Sequence, residues 1–191
     1  MAKDRFEIRI AGTGGQGVIL ATEIIGHAIA LYEDGLYVVQ TQAIGPEARG
    51  GRSRAEVVIS GSPIDYPKAV APHLQVILSM DAATFCAHDT ALDGRIVYDD
   101  FFVDNPPATP NARVYTLPIV RTAREKIGKE IVTNMVALGC VGRVLDLEKV
   151  ASSDSLRKAI VDFFPDKKKI ADLNVEAFNQ GYETFKKAPQ P

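Results

Sequence analysis

Cysteine is scarce in this sequence. It occurs twice, at Cys86 and Cys140, with no CxxC pair, so the chain alone can build neither a disulfide framework nor a cysteine-ligated iron-sulfur cluster. Histidine is equally sparse: His27, His73 and His88 are scattered singly and do not make a metal site. Neither sign of charge is in excess, since 22 basic residues meet 24 acidic ones for a formal charge of −2. That balance gives no bulk field for nucleic acid or an anionic membrane. No window reaches the roughly 18 apolar residues a membrane span needs. The beginning Met1-Ala2-Lys3-Asp4-Arg5-Phe6 carries charge rather than an apolar signal region, so the expectation is a cytoplasmic protein with no membrane span. Also missing are a GxSxG elbow, a Walker lysine, a kinase signature, internal repeats and low-complexity segments. Cys86 and His88 are close in sequence but would point about 200° apart on a helix, which excludes a ready catalytic pair.

What remains is enough for a folded core. At 191 residues and 46% hydrophobic content the chain suits one domain over residues 1–191, stable without disulfides or metals. The turn-rich stretch 104–113, with Asn105, Pro106, Pro107 and Pro110, reads as a surface connection too short to separate two domains. Apolar periodicity predicts strands at 6–11, 36–39, 54–60, 74–78, 95–98 and 113–117. It predicts helices at 16–34, ended by Gly35 as a left-handed cap, and at 81–92, with Asp81 in the N-cap position. Further helices are expected at 118–127, stopped by Gly128, and at 131–145, 153–164 and 168–187, the last opening on a solvated Lys167-Lys168-Lys169. Strands interleaved with helices, then a helical C-terminal region, predict a three-layer α/β/α domain. Its sheet is mostly parallel or mixed, because the second and third strands are joined by a loop with no helix.

Two glycine-bearing segments stand out. Gly12-Thr13-Gly14-Gly15-Gln16-Gly17 joins a strand to a helix, where an anion or another chain's backbone approaches closely. Gly45-Pro46-Glu47-Ala48-Arg49-Gly50-Gly51-Arg52-Ser53-Arg54 combines one acid with three arginines, whose guanidinium groups suit bidentate anion recognition and interface ion pairs. With Ser79-Met80-Asp81 and Asp99-Asp100-Phe101, both lie just past strand ends and are expected along one edge. Gly12, Gly14 and Gly17 satisfy GxGxxG, which raises a free-standing NAD- or FAD-binding oxidoreductase. The ribose-binding acid it requires is missing, since Gln40 and Thr41 occupy the end of the second strand and Glu33 and Asp34 precede it. Close helix-strand packing without a ligand, another anion, and a neighbouring chain's cofactor stay open for the first segment. A solvated loop with an internal Glu47 to arginine pair, and an interface or ligand role, stay open for the second. Gln16 brings to the turn an amide that can both donate and accept. Asn134, beside Gly139 and Gly142 on a small-residue helix, reads as core with a polar group able to reach a partner.

Taken together, GTGGQG at 12–17, QAIGPEARGG at 42–51 followed by RSRAEVVIS, the apolar strand ending at Ser79, TNMVALG at 133–139 and the helix 173–182 resemble the gamma subunit, or gamma domain, of the 2-oxoacid:ferredoxin oxidoreductases. The likeness covers nearly the whole chain. It implies a multisubunit enzyme that oxidatively decarboxylates a 2-oxoacid to its acyl-coenzyme A and reduces ferredoxin or a similar acceptor. It also implies that thiamine diphosphate, Mg2+ and iron-sulfur clusters sit on other subunits, with coenzyme A as co-substrate and none of these groups held firmly by this chain alone. The partners implied are alpha, beta and ferredoxin-like subunits. By match, Gly12, Thr13, Gly14, Gly15, Gln16 and Gly17, with Gly45, Pro46, Glu47, Arg49, Gly50 and Gly51, fall at the subunit junction or the coenzyme A approach, and no residue takes a proton-transfer role. The form GPEARGG is similar to the pyruvate, 2-oxoglutarate and branched-chain branches more than to the indolepyruvate branch. Ala43-Ile44 departs from the small-residue and aromatic pair common there, and an aryl 2-oxoacid such as phenylglyoxylate stays open too. A purely structural scaffold subunit is the remaining alternative.

Overall fold

The computed structural model describes residues 5–44 and 51–189. Six strands, β1 (Phe6–Thr13), β2 (Tyr37–Ile44), β3 (Arg52–Ser60), β4 (Leu74–Ile77), β5 (Arg95–Asp99) and β6 (Arg113–Leu117), form one sheet in the order β2-β3-β1-β4-β5-β6. The sheet is mixed. β1, β4, β5 and β6 run parallel, whereas β3 is antiparallel to both β1 and β2. The helices are α1 (Val18–Tyr32), α2 (Met80–Cys86), α3 (Ile119–Arg121), α4 (Thr133–Glu148), α5 (Ser153–Asp162) and α6 (Lys168–Lys186).

Alternation along each strand sorts the side chains onto two unlike faces. Ile8, Ile10, Val57, Ile59 and Val76 point into the large core shared with α1, α4, α5 and α6. Ala11, Ile77, Ile96 and Tyr98 meet α2 in a smaller cluster. Within the large core α4 and α6 touch backbone to backbone: a Cβ at Gly139 would stand 2.0 Å from the Phe178 carbonyl oxygen, and one at Gly181 would stand 1.9 Å from that of Val136. The small residues at 139 and 181 therefore set the spacing of this helix pair.

Several expected boundaries move, each for a local reason. β2 runs on to Ile44 and pairs residue for residue with β3 as an antiparallel hairpin, so residues 40–44 and 52–53 of the loop expected between them are strand. α1 starts at Val18, because Gly17 has φ +71 and stands outside the helix. Gly35 does adopt the left-handed conformation, at φ +74, but beyond the cap residue Glu33. The cap of α2 is Ser79, whose hydroxyl accepts the Ala82 N–H at 3.3 Å; Asp81 sits inside the first turn. α2 ends at Cys86 rather than at 92, and a 3-10 turn, Ala87–Asp89, follows. Its C-terminal carbonyl is diverted: the Cys86 oxygen accepts Gln75 Nε2 at 2.9 Å, and the Thr90 N–H turns to Ala87. The expected helix 118–127 is α3 followed by a π-helical turn, Thr122–Ile127, closed by left-handed Gly128, and a 3-10 turn, Glu130–Val132, leads into α4.

Candidate functional site

Because β1, β4 and β5 are parallel, their carboxyl ends share one edge, and the antiparallel β3 starts there with Arg52 opposite Thr13. A direct bond ties the two glycine segments at this edge: the Gly14 N–H donates to the Gly51 oxygen at 2.7 Å. Gly45, Pro46, Glu47, Arg49 and Gly50 lie outside the described residues.

The turn 12–17 is held from within. Gln16 Oε1 accepts the Thr13 N–H at 2.7 Å, and Gln16 Nε2 donates to the Leu78 oxygen at 3.0 Å, which pins the turn to the end of β4. A Cβ at Gly12 would stand 2.2 Å from Gln16 Oε1, so the bare position is what lets that amide seat. At the other end Asn134 Nδ2 donates to the Gly17 oxygen at 3.3 Å. The buried Asn134 thus joins α4 to the start of α1. What the turn presents outward is the exposed backbone of Gly14 and Gly15.

Two concavities flank this backbone. On the hairpin side a cavity of about 210 Å³ is lined by Gly12, Arg52, Arg54, Ala82, Phe85 and Cys86. The guanidinium carbons of Arg52 and Arg54 lie 5.0 and 5.8 Å from the centroid of the exposed Phe85 ring, in cation–π range. Burial pushes the Cys86 thiol pKa up, with Arg9 and Arg54 opposing, so this wall is an apolar sulfur rather than a nucleophile. His88, in the following turn, is exposed while Cys86 is buried, and the two do not form a pair. On the other side a cavity of about 240 Å³ is lined by Gly15, Gln16, Phe102, Val120, Glu130 and Ile131. Phe85 and Ile131 fall within the expected helices 81–92 and 131–145 and Phe102 just past an expected strand, and nothing in the sequence marks the three as exposed.

Beneath the hairpin-side cavity lies a buried polar cluster. Arg9 is 2% exposed; its Nε donates to Glu56 Oε1 at 2.8 Å and its Nη1 to Asp89 Oδ1 at 2.5 Å. Gln75, the register neighbour of Arg9 on β4, donates from Nε2 to Thr90 Oγ1 at 2.7 Å. Burial works against the Arg9 charge, but Asp89 and Glu56 more than offset it and hold its pKa above the usual value. Glu56 Oε1 also faces Arg54 Nε at 3.5 Å, so the cluster reaches the cavity wall.

The place of a dinucleotide's ribose acid is closed to that role. Gln40 Nε2 donates to Thr22 Oγ1 on α1 at 3.1 Å. Among the described residues no three His, Cys, Asp or Glu side chains converge as a metal-binding group, and no helix is long and apolar enough to cross a membrane.

Residues 7–184 match the family described as pyruvate ferredoxin/flavodoxin oxidoreductase. The 2-oxoglutarate synthase subunit KorC of Methanocaldococcus jannaschii is 44% identical over 186 residues, covering 96% of each chain. The ketoisovalerate oxidoreductase subunit VorA of Methanothermobacter thermautotrophicus is 34% identical, across 92% of this chain but 35% of its own length. A solved structure, the keto/oxoacid ferredoxin oxidoreductase gamma subunit of Geobacter sulfurreducens, is 35% identical with a TM-score of 0.78, covering 94% of this chain and 98% of that one. A hairpin and a glycine turn fastened at one strand-end edge, on a chain with this likeness from end to end, lead to one assignment: the chain belongs to the pyruvate ferredoxin/flavodoxin oxidoreductase family, as a gamma subunit of a 2-oxoacid:ferredoxin oxidoreductase complex.

Proposed function

We propose that this chain is the gamma subunit of a 2-oxoglutarate:ferredoxin oxidoreductase, and that its strand-end edge is the junction with the catalytic subunits. The substrate follows the 44% identity to a 2-oxoglutarate synthase subunit against 34% to a ketoisovalerate oxidoreductase subunit. The reading takes the chain as one cytoplasmic domain. Thiamine diphosphate, Mg2+ and the iron-sulfur clusters belong to alpha, beta and ferredoxin-like partners; for the clusters the support is that this chain brings two cysteines, both buried, where a cluster takes four. Its own part is to seat on those partners and to shape the approach of coenzyme A and the 2-oxoacid.

The observation that carries the reading is the Gly14 to Gly51 bond, which fastens the exposed strip of turn backbone at Gly14 and Gly15 to the residue just before β3. Arg52, Arg54 and Phe85 flank the strip, residue types enriched at protein interfaces. Backbone and guanidinium groups in that setting bind carboxylate or phosphate as well as protein.

Affinity purification of the tagged chain from its native cells, followed by identification of the recovered chains, tests the assembly. Thiamine-dependent and iron-sulfur subunits are expected in fixed ratio; a stable monomer without them ends the proposal. Arg52→Ala in the assembled enzyme is expected to raise KM for coenzyme A or 2-oxoglutarate about tenfold, the loss of one charge-assisted contact. An unchanged KM in an intact complex would instead favour a scaffold role.

A further inference from the structure

The sheet has two outer strands, and they are finished differently. β6 is five residues long and opens on the charged Arg113. Short length and charge are ordinary guards of an open edge. β2 is eight residues long, Tyr37-Val38-Val39-Gln40-Thr41-Gln42-Ala43-Ile44, and holds no charged residue, proline or glycine. It pairs with β3 residue for residue, so no bulge turns the edge aside. Among the described residues no strand lies on its outer side, and residues 37–43 are all half-buried or exposed.

One bond fixes the direction of the free backbone groups of β2. The Gly14 N–H reaches Gly51 one step beyond the Thr13 to Arg52 pair, so 14 and 51 are a hydrogen-bonded pair of the β1–β3 ladder. Bonded and non-bonded pairs alternate, which turns the odd residues of β3 to β1 and the even ones, Arg54, Glu56 and Val58, to β2. Their opposites Ala43, Thr41 and Val39 spend their N–H and C=O groups on β3. The backbone groups of residues 38, 40, 42 and 44 therefore point outward, where another extended chain can add.

The side chains say which chain fits. When two copies of β2 meet antiparallel about a two-fold axis, an even-numbered residue must bond an even-numbered one, so the axis passes through a residue rather than between two. Only an axis through Thr41 engages all four outward residues. Thr41 then stands opposite its own copy, Gln40 opposite Gln42 and Val39 opposite Ala43. A hydroxyl and a carboxamide both donate and accept, so each can bond its like, and apolar meets apolar. An uncharged strand also brings no like charges together at an axis where every group meets itself.

We propose that two copies of this chain join edge to edge through β2, antiparallel about a two-fold axis at Thr41, so that one sheet runs through both. The inference does not depend on the subunit reading. It uses the side of the sheet, not the strand ends offered to the catalytic subunits.

The test weighs the full chain, alone and in its assembled complex, by sedimentation and native mass spectrometry over a concentration series. A dimer is expected for the chain alone and two copies in the complex, with slow hydrogen exchange at Val38, Gln40 and Gln42. Gln42→Pro deletes an outward N–H and spares the β3 ladder, whereas Thr41→Lys sets two cations opposite each other. Each should weaken the dimer at least about tenfold with the fold intact by circular dichroism, and Thr41→Lys chains should pair with Thr41→Glu chains when mixed. A wild-type chain that stays monomeric, or a single copy per complex, overturns the proposal. So does a dimer that both variants leave unweakened, or one whose amides at 38, 40 and 42 exchange fast, since the contact then lies elsewhere. Failure to recover catalytic subunits ends the subunit reading alone, because the chain by itself still decides this one.

Discussion

The two faces of the sheet solve the same covering problem with different materials. One is closed by four helices over branched apolar side chains. The other has a single short helix, and near β1 its covering is the Arg9, Glu56, Gln75 and Asp89 cluster, whose members meet by hydrogen bonds of fixed direction. Apolar burial is non-directional and scales with area, whereas a buried ion network holds its elements in one register and penalises any member left alone. The lesson is a division of labour: the apolar face secures the fold, and the polar face fixes where α2 and the hairpin sit, and with them Phe85, Arg52 and Arg54.

Neighbouring residues on β1 test that division most sharply. Arg9→Ala takes the cation from Asp89 and leaves Glu56 only the half-exposed Arg54 at 3.5 Å, and is expected to cost about 3–5 kcal/mol in urea unfolding. Ile10→Ala, on the opposite face, should cost about 2–5 kcal/mol as a plain cavity. The two are told apart by repair: a triple replacement of Arg9, Glu56 and Asp89 by apolar residues of similar size should recover most of the loss, and no such repair exists for Ile10. Lasting destabilisation in the triple variant would show that the cluster is more than a register device.

Gln16→Ala comes next, at about 1–3 kcal/mol, because it strands the Thr13 N–H and the Leu78 carbonyl. Hydrogen exchange should rise at residues 12–17 and stay unchanged in α4 and α6; uniform acceleration would mean that the turn is part of the core rather than of the edge.

The smallest effect is one of pH. Burial raises the Asp99 carboxyl pKa, and the N–H donors of Val120, Phe102 and Phe101 pull it down only in part. The folded state therefore keeps a proton at pH values where an unfolded aspartate, near 3.9, has lost it. The contribution of Asp99 to stability is full below that value and falls as pH rises through the raised one. A pH series of unfolding midpoints should show this decline in the wild type and lack it in Asp99→Asn; the same slope in both would assign it to another group.

Much of the fold could be read from the sequence, because strand alternation and helical periodicity are local. Every expected strand and helix has a counterpart, and Gly14 of the first glycine segment meets Gly51 of the second. What escaped is what depends on distant partners. The early end of α2 is decided by Gln75, 11 residues upstream, taking the Cys86 carbonyl. The inward role of Gln16 depends on a carbonyl 62 residues away at Leu78. The extension of β2 through the polar run Gln40-Thr41-Gln42 needs β3 beside it, since only pairing makes such residues a strand. Phe101 falls past a strand end and Ile131 at the start of a helix, but the exposure of Phe101, Phe102 and Ile131 could not be read, because an exposed apolar side chain has the same letter as a buried one.

The Gly14 to Gly51 bond has an evolutionary consequence. It runs from one main chain to another, so exchanging the side chain at 51 leaves its acceptor in place, and at 14 only proline would remove the donor. Change of identity is therefore tolerated by this fastening, and change of length is not: one residue gained or lost in β3 would carry the acceptor off register with the turn. Among descendants of such a chain the spacing between the two segments and the sheet should be kept more strictly than the letters that fill it.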